Sequence, residues 1–570
     1  MKFRILLGCV LTASMSLVSS CSDFLTEDPK GKLTPETFFS NQNEVDMSVY
    51  ALYAKLQDFQ ADSNPLIIQC QGSDVTSTTG SNKAAYLSAD AFEVPSDSKG
   101  LEYNWKDLYA VIKAANLIIM NVEKANTSEE EINIALGQAY YWRAFAYFNL
   151  VRNFGPLPMN LQNLPDNNTT ELTSVAGVYE QIVSDLKAAE NCNLPAKYTK
   201  INRVVNGQNI YVSAQTVKAT MAAVYMSMAG YPLKQTSYYA EAATKAKEVI
   251  DGVNSGKYDH ALLSNWGDVF SYGKNHHSET LLGLDYNANP GGWSSYDSQL
   301  SSCHQSGKLQ GWGDFLAERR FWASYPEGPR KDAVYAKQIR LNDGSLIDWW
   351  ATTDGEAYNG ENAAFSDYRP MFVAFTVNRD PATGLPLQAA YDYSLPFWDG
   401  MCINKRHQII RYSEVLCWYA EAAARSGASD LSAAKKALKQ VRERAYADAA
   451  AVTAVDNMNA SELAEAAYKE HTYEVAGYVL AMVTCRADEF RMERLKDHYD
   501  YRAGSQNDVL VPAGTLTHSV DASGQPFTYT LKQDLRVSEN MAVTASWNGE
   551  SSIYHNYPPT EVEKNPNLKR

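Results

Sequence analysis

The chain has 570 residues, with 51 Lys and Arg against 66 Asp and Glu, for a net charge of −15. An acidic excess of this size argues against nucleic-acid binding and against a polybasic contact with lipid headgroups. Eight cysteines without any C-x-x-C pair suggest neither a zinc site nor a dense disulfide frame, so the core must stand on burial, for which the chain is long enough.

In chain order, Met1–Arg4 supplies two positive charges, and Ile5–Val18 is apolar apart from small Thr and Ser residues. That is the order of a secretory signal, and it is too short for a comfortable membrane span. Leu17-Val18-Ser19-Ser20-Cys21 is similar to the bacterial lipobox, where the thiol is acylated and the cut falls ahead of it. The expectation is a signal peptide over 1–20 and an anchor at Cys21, each buried acyl CH₂ contributing about 0.8 kcal/mol. Cleavage there removes Lys2 and Arg4, leaving 49 basic against 66 acidic residues, a net −17. Residues 21–33 are polar and acidic and read as a flexible tether.

Helical patterning then appears in blocks. Asn41-x-x-Glu44 caps a helix from about Glu44 to Phe59. Trp105, Leu108, Tyr109, Ile112, Ala115, Asn116 and Ile119 recur at three- and four-residue steps. After Asn126-Thr127-Ser128, a long helix runs over Glu129–Asn153 and stops for steric reasons at Phe154-Gly155-Pro156-Leu157-Pro158. Further helices are predicted at Val175–Glu190, at Gln215–Ala229 and Tyr238–Asp251 around Gly230-Tyr231-Pro232, and at Arg411–Arg425 and Leu431–Ala445 around Ser426-Gly427-Ala428. The pairs resemble tetratricopeptide repeats: Trp105-x-x-Leu108 and Ala144-x-x-x-Phe148 follow the pattern, although Tyr109 stands where the repeat has Gly. Between about 252 and 405 this patterning gives way to Gly, Pro, Asn, Asp and Ser, in a stretch too long to be idle loop. Residues 504–557 alternate in short segments such as Phe527–Leu531 and read as β. The predicted fold class is mainly α: tetratricopeptide-like helix pairs form a scaffold over 34–251 and 406–503, with a loop-rich ligand-binding insert over 252–405 and minor β structure in 504–570, all in one domain.

Seven of the eleven tryptophans, Trp266, Trp293, Trp312, Trp322, Trp349, Trp350 and Trp398, fall in or beside that insert. Indole and phenol rings pack on the C–H faces of sugars, whose hydroxyls need polar partners such as Asn289, Asp297, Gln299 and Asp314. Trp266 and Trp322, beside helix-like stretches such as the amphipathic Phe315–Arg320, read as core, as do Trp105, Trp142 and Trp418 on scaffold helices. Trp293, Tyr296, Trp312, Trp349 and Trp350, flanked by Gly, Ser or Asp, are the candidates for ligand binding. Catalytic patterns are lacking: there is no G-x-S-x-G, H-E-x-x-H or phosphate loop, and His276-His277 with Glu279 lacks metal-ligand spacing and reads as a solvated loop. Acid pairs such as Asp314 and Glu318 would suit glycoside hydrolysis, but 66 acids make such pairs common. No catalytic residue, metal or cofactor is assigned.

Several segments together resemble the SusD/RagB family of outer-membrane nutrient-binding lipoproteins. They are the lipobox; Trp105-Lys106-Asp107-Leu108-Tyr109 with Ala115-Asn116; Tyr141-Trp142-Arg143-Ala144-Phe145 leading to the Gly/Pro stop; and Ile182-Val183-Ser184-Asp185-Leu186. Further on come Ile410-Arg411-Tyr412-Ser413-Glu414-Val415-Leu416 with Tyr419-Ala420-Glu421-Ala422, Val441-Arg442-Glu443-Arg444-Ala445, and Pro558-Pro559-Thr560-Glu561-Val562 before Asn565-Pro566-Asn567. The late helix, Tyr473–Met492, is only loosely similar, and 504–550 is expanded. The resemblance implies a helical scaffold that binds a glycan at the cell exterior, held on the outer membrane by lipid at Cys21. It also implies a SusC-like TonB-dependent transporter as partner. A branch of the family binds peptides, which stays open here as an alternative ligand class. The resemblance further implies that the segment before the Trp105 helix contributes to binding, with Asp74, Lys83 and Tyr86 as its candidates.

Overall fold

Serine and asparagine side chains set where the helices begin. Ser98, Ser128 and Ser174 accept from the backbone N–H of Gly100, Glu131 and Gly177 at 3.2–3.3 Å, and Asn459 and Glu462 form a reciprocal capping box. At the first helix, Asn41 accepts from the Glu44 N–H at 3.2 Å, but the Glu44 carboxylate turns back to the Ser40 N–H, one residue earlier than a capping box would have it. Gly155 ends the longest helix at φ +68°, a conformation that glycine adopts without a Cβ clash, and Pro156 follows it.

The structure is a computed structural model that describes residues 38–61, 76–77, 84–162, 169–271, 274–286, 316–336, 339–340, 346–347, 370–372, 378–379, 386–388, 406–477, 485–503, 508–520, 523, 525–530, 534–538 and 547–569. The long helices among them are α1 (Gln42–Ala61), α2 (Lys99–Asn121), α3 (Glu129–Phe154), α4 (Val175–Asn191), α5 (Ala214–Ala229), α6 (Tyr238–Asn254), α7 (Tyr412–Arg425), α8 (Ser432–Ala445) and α9 (Ala460–Val475). Each packs on the next from α1 to α7, and α7 lies against both α8 and α9, so the frame is a continuous array of helices in sequence order. The late helix expected over Tyr473–Met492 is instead divided: α9 ends at Val475, Gly477 takes φ +74°, and Cys485–Arg491 forms a separate short helix.

The core runs along α3, where Trp142 is fully buried and stands edge-on to Tyr53, Tyr141 and Phe145 at 5.0–5.5 Å. Trp105, Trp266 and Trp418 are buried too, and Trp322 is half-buried against the same core. Tyr109, at the repeat's usual glycine position, stacks obliquely on Trp105 and donates from its hydroxyl to the Pro158 carbonyl at 2.9 Å. Polar ties join what the apolar faces bring together. Arg143 of α3 forks onto Asp185 of α4 at 2.7 and 2.8 Å and reaches Asn116 of α2 at 2.8 Å. The C-terminal segment closes on the Gly/Pro corner, with the Tyr557 hydroxyl donating to Pro156 O at 2.7 Å and the Asn565 side chain to Thr170 O at 2.9 Å. Residues 508–538 form antiparallel pairs, Asp508–Val511 with Leu535–Ser538 and Leu516–Val520 with Pro526–Thr530, as the alternation there predicted. Among the described cysteines, Cys192 and Cys417 are free thiols.

His471 of α9 is fully buried between Asp488 at 2.5 Å and Glu414 at 3.2 Å. Burial alone would depress its pKa, but Asp488 and then Glu414 outweigh that and raise it from 6.5 to about 9. A pKa raised by folding contributes stability that is complete below about pH 6.5 and is lost as pH rises through 9. The expected loss across that window is on the order of 3 kcal/mol. Urea midpoints measured from pH 6 to 9.5 should fall in the wild type and be much flatter in His471→Gln. Equal slopes would remove His471 from the account.

Candidate functional site

The insert grows from a two-stranded stem. Thr280–Leu284 pairs antiparallel with His407–Arg411, Leu284 opposite His407 and Thr280 opposite Arg411, and all ten residues are buried. The chain between them therefore leaves and re-enters the frame on adjacent strands. The C-terminal end of α1 is tied to the stem's outgoing end, with the Gln57 amide donating to Asp285 O at 2.5 Å and the Tyr286 hydroxyl to Gln57 O at 3.1 Å.

At the base of the stem is a buried charge network. Glu474 of α9 meets Arg330 at 2.7 Å, Arg411 at 2.9 Å and Arg444 of α8 at 3.0 Å, and accepts from the Trp266 indole N–H at 3.2 Å. Glu279 meets Arg411 at 3.1 Å and also Arg444, while Glu470 takes Arg330 at 2.7 Å and Arg442 at 2.8 Å. Burial pushes the Glu474 carboxyl up, but Arg444, Arg330 and Arg411 together hold it well below the usual carboxylate range. The expectation of a solvated loop around His276, His277 and Glu279 is thus corrected. Glu279 is fully buried, His276 bonds Asp285 at 2.7 Å, and His277 bonds Val269 O and the Gln408 amide at 3.0 and 3.1 Å. The segment folds beneath the stem because two guanidiniums offset the carboxylate there. No group of three His, Cys, Asp or Glu side chains arranged for a metal occurs among the described residues.

Two further pairings pin the insert. Thr76–Ser77, from the segment before α2, pairs with Leu316–Ala317, Thr76 opposite Ala317. The amphipathic stretch at Phe315–Arg320 therefore divides into this strand and a helix that begins at Arg319. Leu346–Ile347 joins Ile339–Arg340 on one side and Leu516–Val520 on the other, giving a four-stranded sheet that ends in Pro526–Thr530. The candidates Asp74, Lys83, Trp293, Tyr296, Trp312, Trp349 and Trp350 lie outside the described residues, as does the expected anchor at Cys21. Asp74 precedes Thr76 by two positions, Trp312 precedes Leu316 by four, and Trp349 follows Ile347 by two, so the pinned strands bracket them in sequence. Tyr86 belongs to the short helix Ala84–Asp90, which is fastened to the helix Leu495–Ala503 by the buried pair Asp90–Arg502 at 2.6 Å. Phe92, Tyr499 and Trp547 cluster just beyond it, with centroids 5.4–6.0 Å apart.

Beside these pairings, a cleft of about 300 Å³ separates the Arg319–Ser324 helix from α9 and the helices Cys485–Arg491 and Leu495–Ala503. Phe321 and Tyr473 pack on each other at a tilt with ring centroids 5.6 Å apart, Arg320 lies 3.2 Å over the Tyr501 ring, and Arg494 lies 4.2 Å over Tyr468 while it pairs with Glu465 at 2.7 Å. Sequence reading did not single out these residues, because nothing in linear order brings positions 320 and 498 together.

A tetratricopeptide-like helical frame carrying a stem-rooted insert defines a scaffold class of protein, with no helix among the described residues long and apolar enough to cross a membrane. The family model described as "Starch-binding associating with outer membrane" matches residues 23–226, and the one described as "SusD family" matches 278–477. The chain belongs to the SusD/RagB family. It is 26% identical over 281 residues to SusD-like protein P25 of Formosa agariphila, covering 47% of this chain and 49% of that protein. The chain spans about half the length of the curated relatives it matches. Among solved structures, surface glycan-binding protein A from Bacteroides thetaiotaomicron aligns over 94% of this chain and 99% of its own, with a TM-score of 0.63 at 17% identity. A laminarin-binding SusD-like protein aligns over 82% and 95%, with a TM-score of 0.60 at 19% identity. These likenesses show the fold.

Proposed function

We propose that this chain is a surface glycan-binding protein that captures an oligo- or polysaccharide and passes it to a SusC-like TonB-dependent transporter. In this reading acylated Cys21 holds it on the outer membrane with the insert facing outward. The observation that carries the proposal is the rooting of the tryptophan-rich insert. Its two ends pair in one buried stem, and strands inside it pair with the segments before α2 and near the C-terminus. Such pairing fixes the strands from which the candidate rings extend in sequence, and fixed attachment points lower the ordering cost of a binding site built on them. Glycan capture by the surface glycan-binding and laminarin-binding proteins of the same fold supports the same ligand class. The role is binding rather than catalysis.

The test is native electrophoresis of the purified protein through gels containing single polysaccharides, xyloglucan, laminarin and starch among them, beside titration with a mixed peptide library. Retardation by at least one polysaccharide is expected, without new reducing ends on prolonged incubation and without peptide binding. Peptide binding with no retardation would transfer the chain to the peptide branch of its family. New reducing ends would make it an enzyme.

A further inference from the structure

The segment that enters the stem is held between two histidines. The Glu279 carbonyl accepts from the Tyr412 N–H at 2.8 Å, beside the first pair of the stem, and the Glu279 N–H donates to Nδ1 of His277 at 3.3 Å. One residue earlier, the Ser278 carbonyl accepts from Nδ1 of His260 at 2.9 Å. These partners fix the protonation of both rings. At His277, Nδ1 accepts, so the single N–H is on Nε2 and goes to the Val269 carbonyl at 3.0 Å, which the Gln408 amide also reaches. At His260 the N–H is on Nδ1. Its Nε2 faces the Gln215 amide nitrogen at 3.2 Å, and that amide is oriented by its bond to Ala196 O at 2.9 Å. Each ring is thus a neutral imidazole with its one donor and its one acceptor in use.

A second proton finds a donor, not an acceptor, at either ring. On His277 it would aim Nδ1–H at the Glu279 N–H, and on His260 it would aim Nε2–H at the Gln215 N–H. The charged groups around His277 among the described residues do not take it up. The Glu279 carboxylate already serves Arg411, Arg444 and the Leu263 N–H, and Arg406 and Arg411 repel a charged ring. Asp268 pairs with Lys274 at 2.8 Å, Asp285 with His276 at 2.7 Å, and His407 lies against Tyr286. Beside His260, Asp259 is exposed and pairs with Lys197 at 3.1 Å. Burial outweighs the favourable contacts and holds both histidines below the ordinary 6.5. A pKa lowered by folding leaves stability untouched above about pH 6.5 and opposes the folded arrangement increasingly as pH falls below it.

We propose that His260 and His277 form an acid-sensitive latch on the insert's outgoing strand. With both rings neutral, residues 278–280 are held against the start of α7; with protons on the rings, that entry opens while the helical frame stays folded. His471, buried in the frame, already carries its proton at these pH values, so acid does not act through it. The latch is independent of what the insert binds, since its residues lie in the stem and in the turns and helices around it.

Hydrogen–deuterium exchange of the full-length protein is read by mass spectrometry at pH 7.5 and pH 5.5, with rates corrected for the intrinsic pH dependence of exchange. Peptides covering 277–284 are expected to lose protection at the lower pH, by up to about tenfold for each histidine, because an opened ring takes up a proton with a pKa near 6.5. Peptides from α3 should keep theirs. In His260→Asn/His277→Asn each side-chain amide can still donate or accept at the position of Nδ1 but cannot titrate, so protection of 277–284 should be the same at both pH values. Should the double variant not fold, His277→Asn alone should show a smaller loss than the wild type. Unchanged protection in the wild type, a loss as large in the variants, or a parallel loss in α3 would overturn the latch.

Discussion

Glu474→Ala is expected to destabilise the protein by about 3–5 kcal/mol, the range for stripping one partner from a buried ion pair. The carboxylate is fully buried and serves three guanidiniums and an indole N–H drawn from four parts of the chain: Trp266, Arg330, the stem's Arg411, and Arg444 of α8. Without it, Arg330 keeps Glu470 and Arg411 keeps Glu279, but Arg444 must share Glu279 with Arg411, so positive charge is left over in a place water does not reach. The loss falls on the joint between frame and insert. Urea unfolding followed by tryptophan fluorescence measures it, and Glu474→Gln should also be destabilised, since it keeps the shape but not the charge. A change below about 1 kcal/mol in Glu474→Ala would mean that the network is not what fastens the stem.

How far the fold was readable differs from element to element. The long helix α3 was plain because Ser128 and three glutamates open it and Gly155-Pro156 closes it, all within a few residues of each other. Arg143, Asp185 and Asn116 stood in segments that resemble the family, but their meeting is set by helix packing and was not visible in spacing. The stem was hidden for the same reason: its strands are short, fully buried, and separated by more than a hundred residues, so neither alternation nor turn chemistry announces it. Glu279 was misread because a carboxylate beside two histidines in a polar stretch looks solvated until the arginines that neutralise it are placed around it. Of the insert's tryptophans, the two described, Trp266 and Trp322, lie against the core as their helix-like neighbours predicted.

Replacing Trp312, Trp349 and Trp350 together by Ala is expected to weaken glycan retention by on the order of a hundredfold, with little change in stability. A ring stacked on a ligand contributes on the order of 1 kcal/mol beyond the area it covers, and three such losses compound. These positions follow or precede the pinned strands Leu316–Ala317 and Leu346–Ile347, whereas Trp105, Trp142, Trp266 and Trp418 are sealed in the core and would cost folding if removed. The triple variant therefore separates binding from integrity, which no substitution at a core tryptophan can do. The decisive measurement is the dissociation constant, by affinity electrophoresis on the polysaccharide that retards the wild type, of this variant beside the wild type at matched urea midpoints. A large rise in that constant with stability unchanged is the predicted result; an unchanged constant, or a loss of binding that merely tracks unfolding, would contradict the claim that rings held out by a rooted insert grip the glycan.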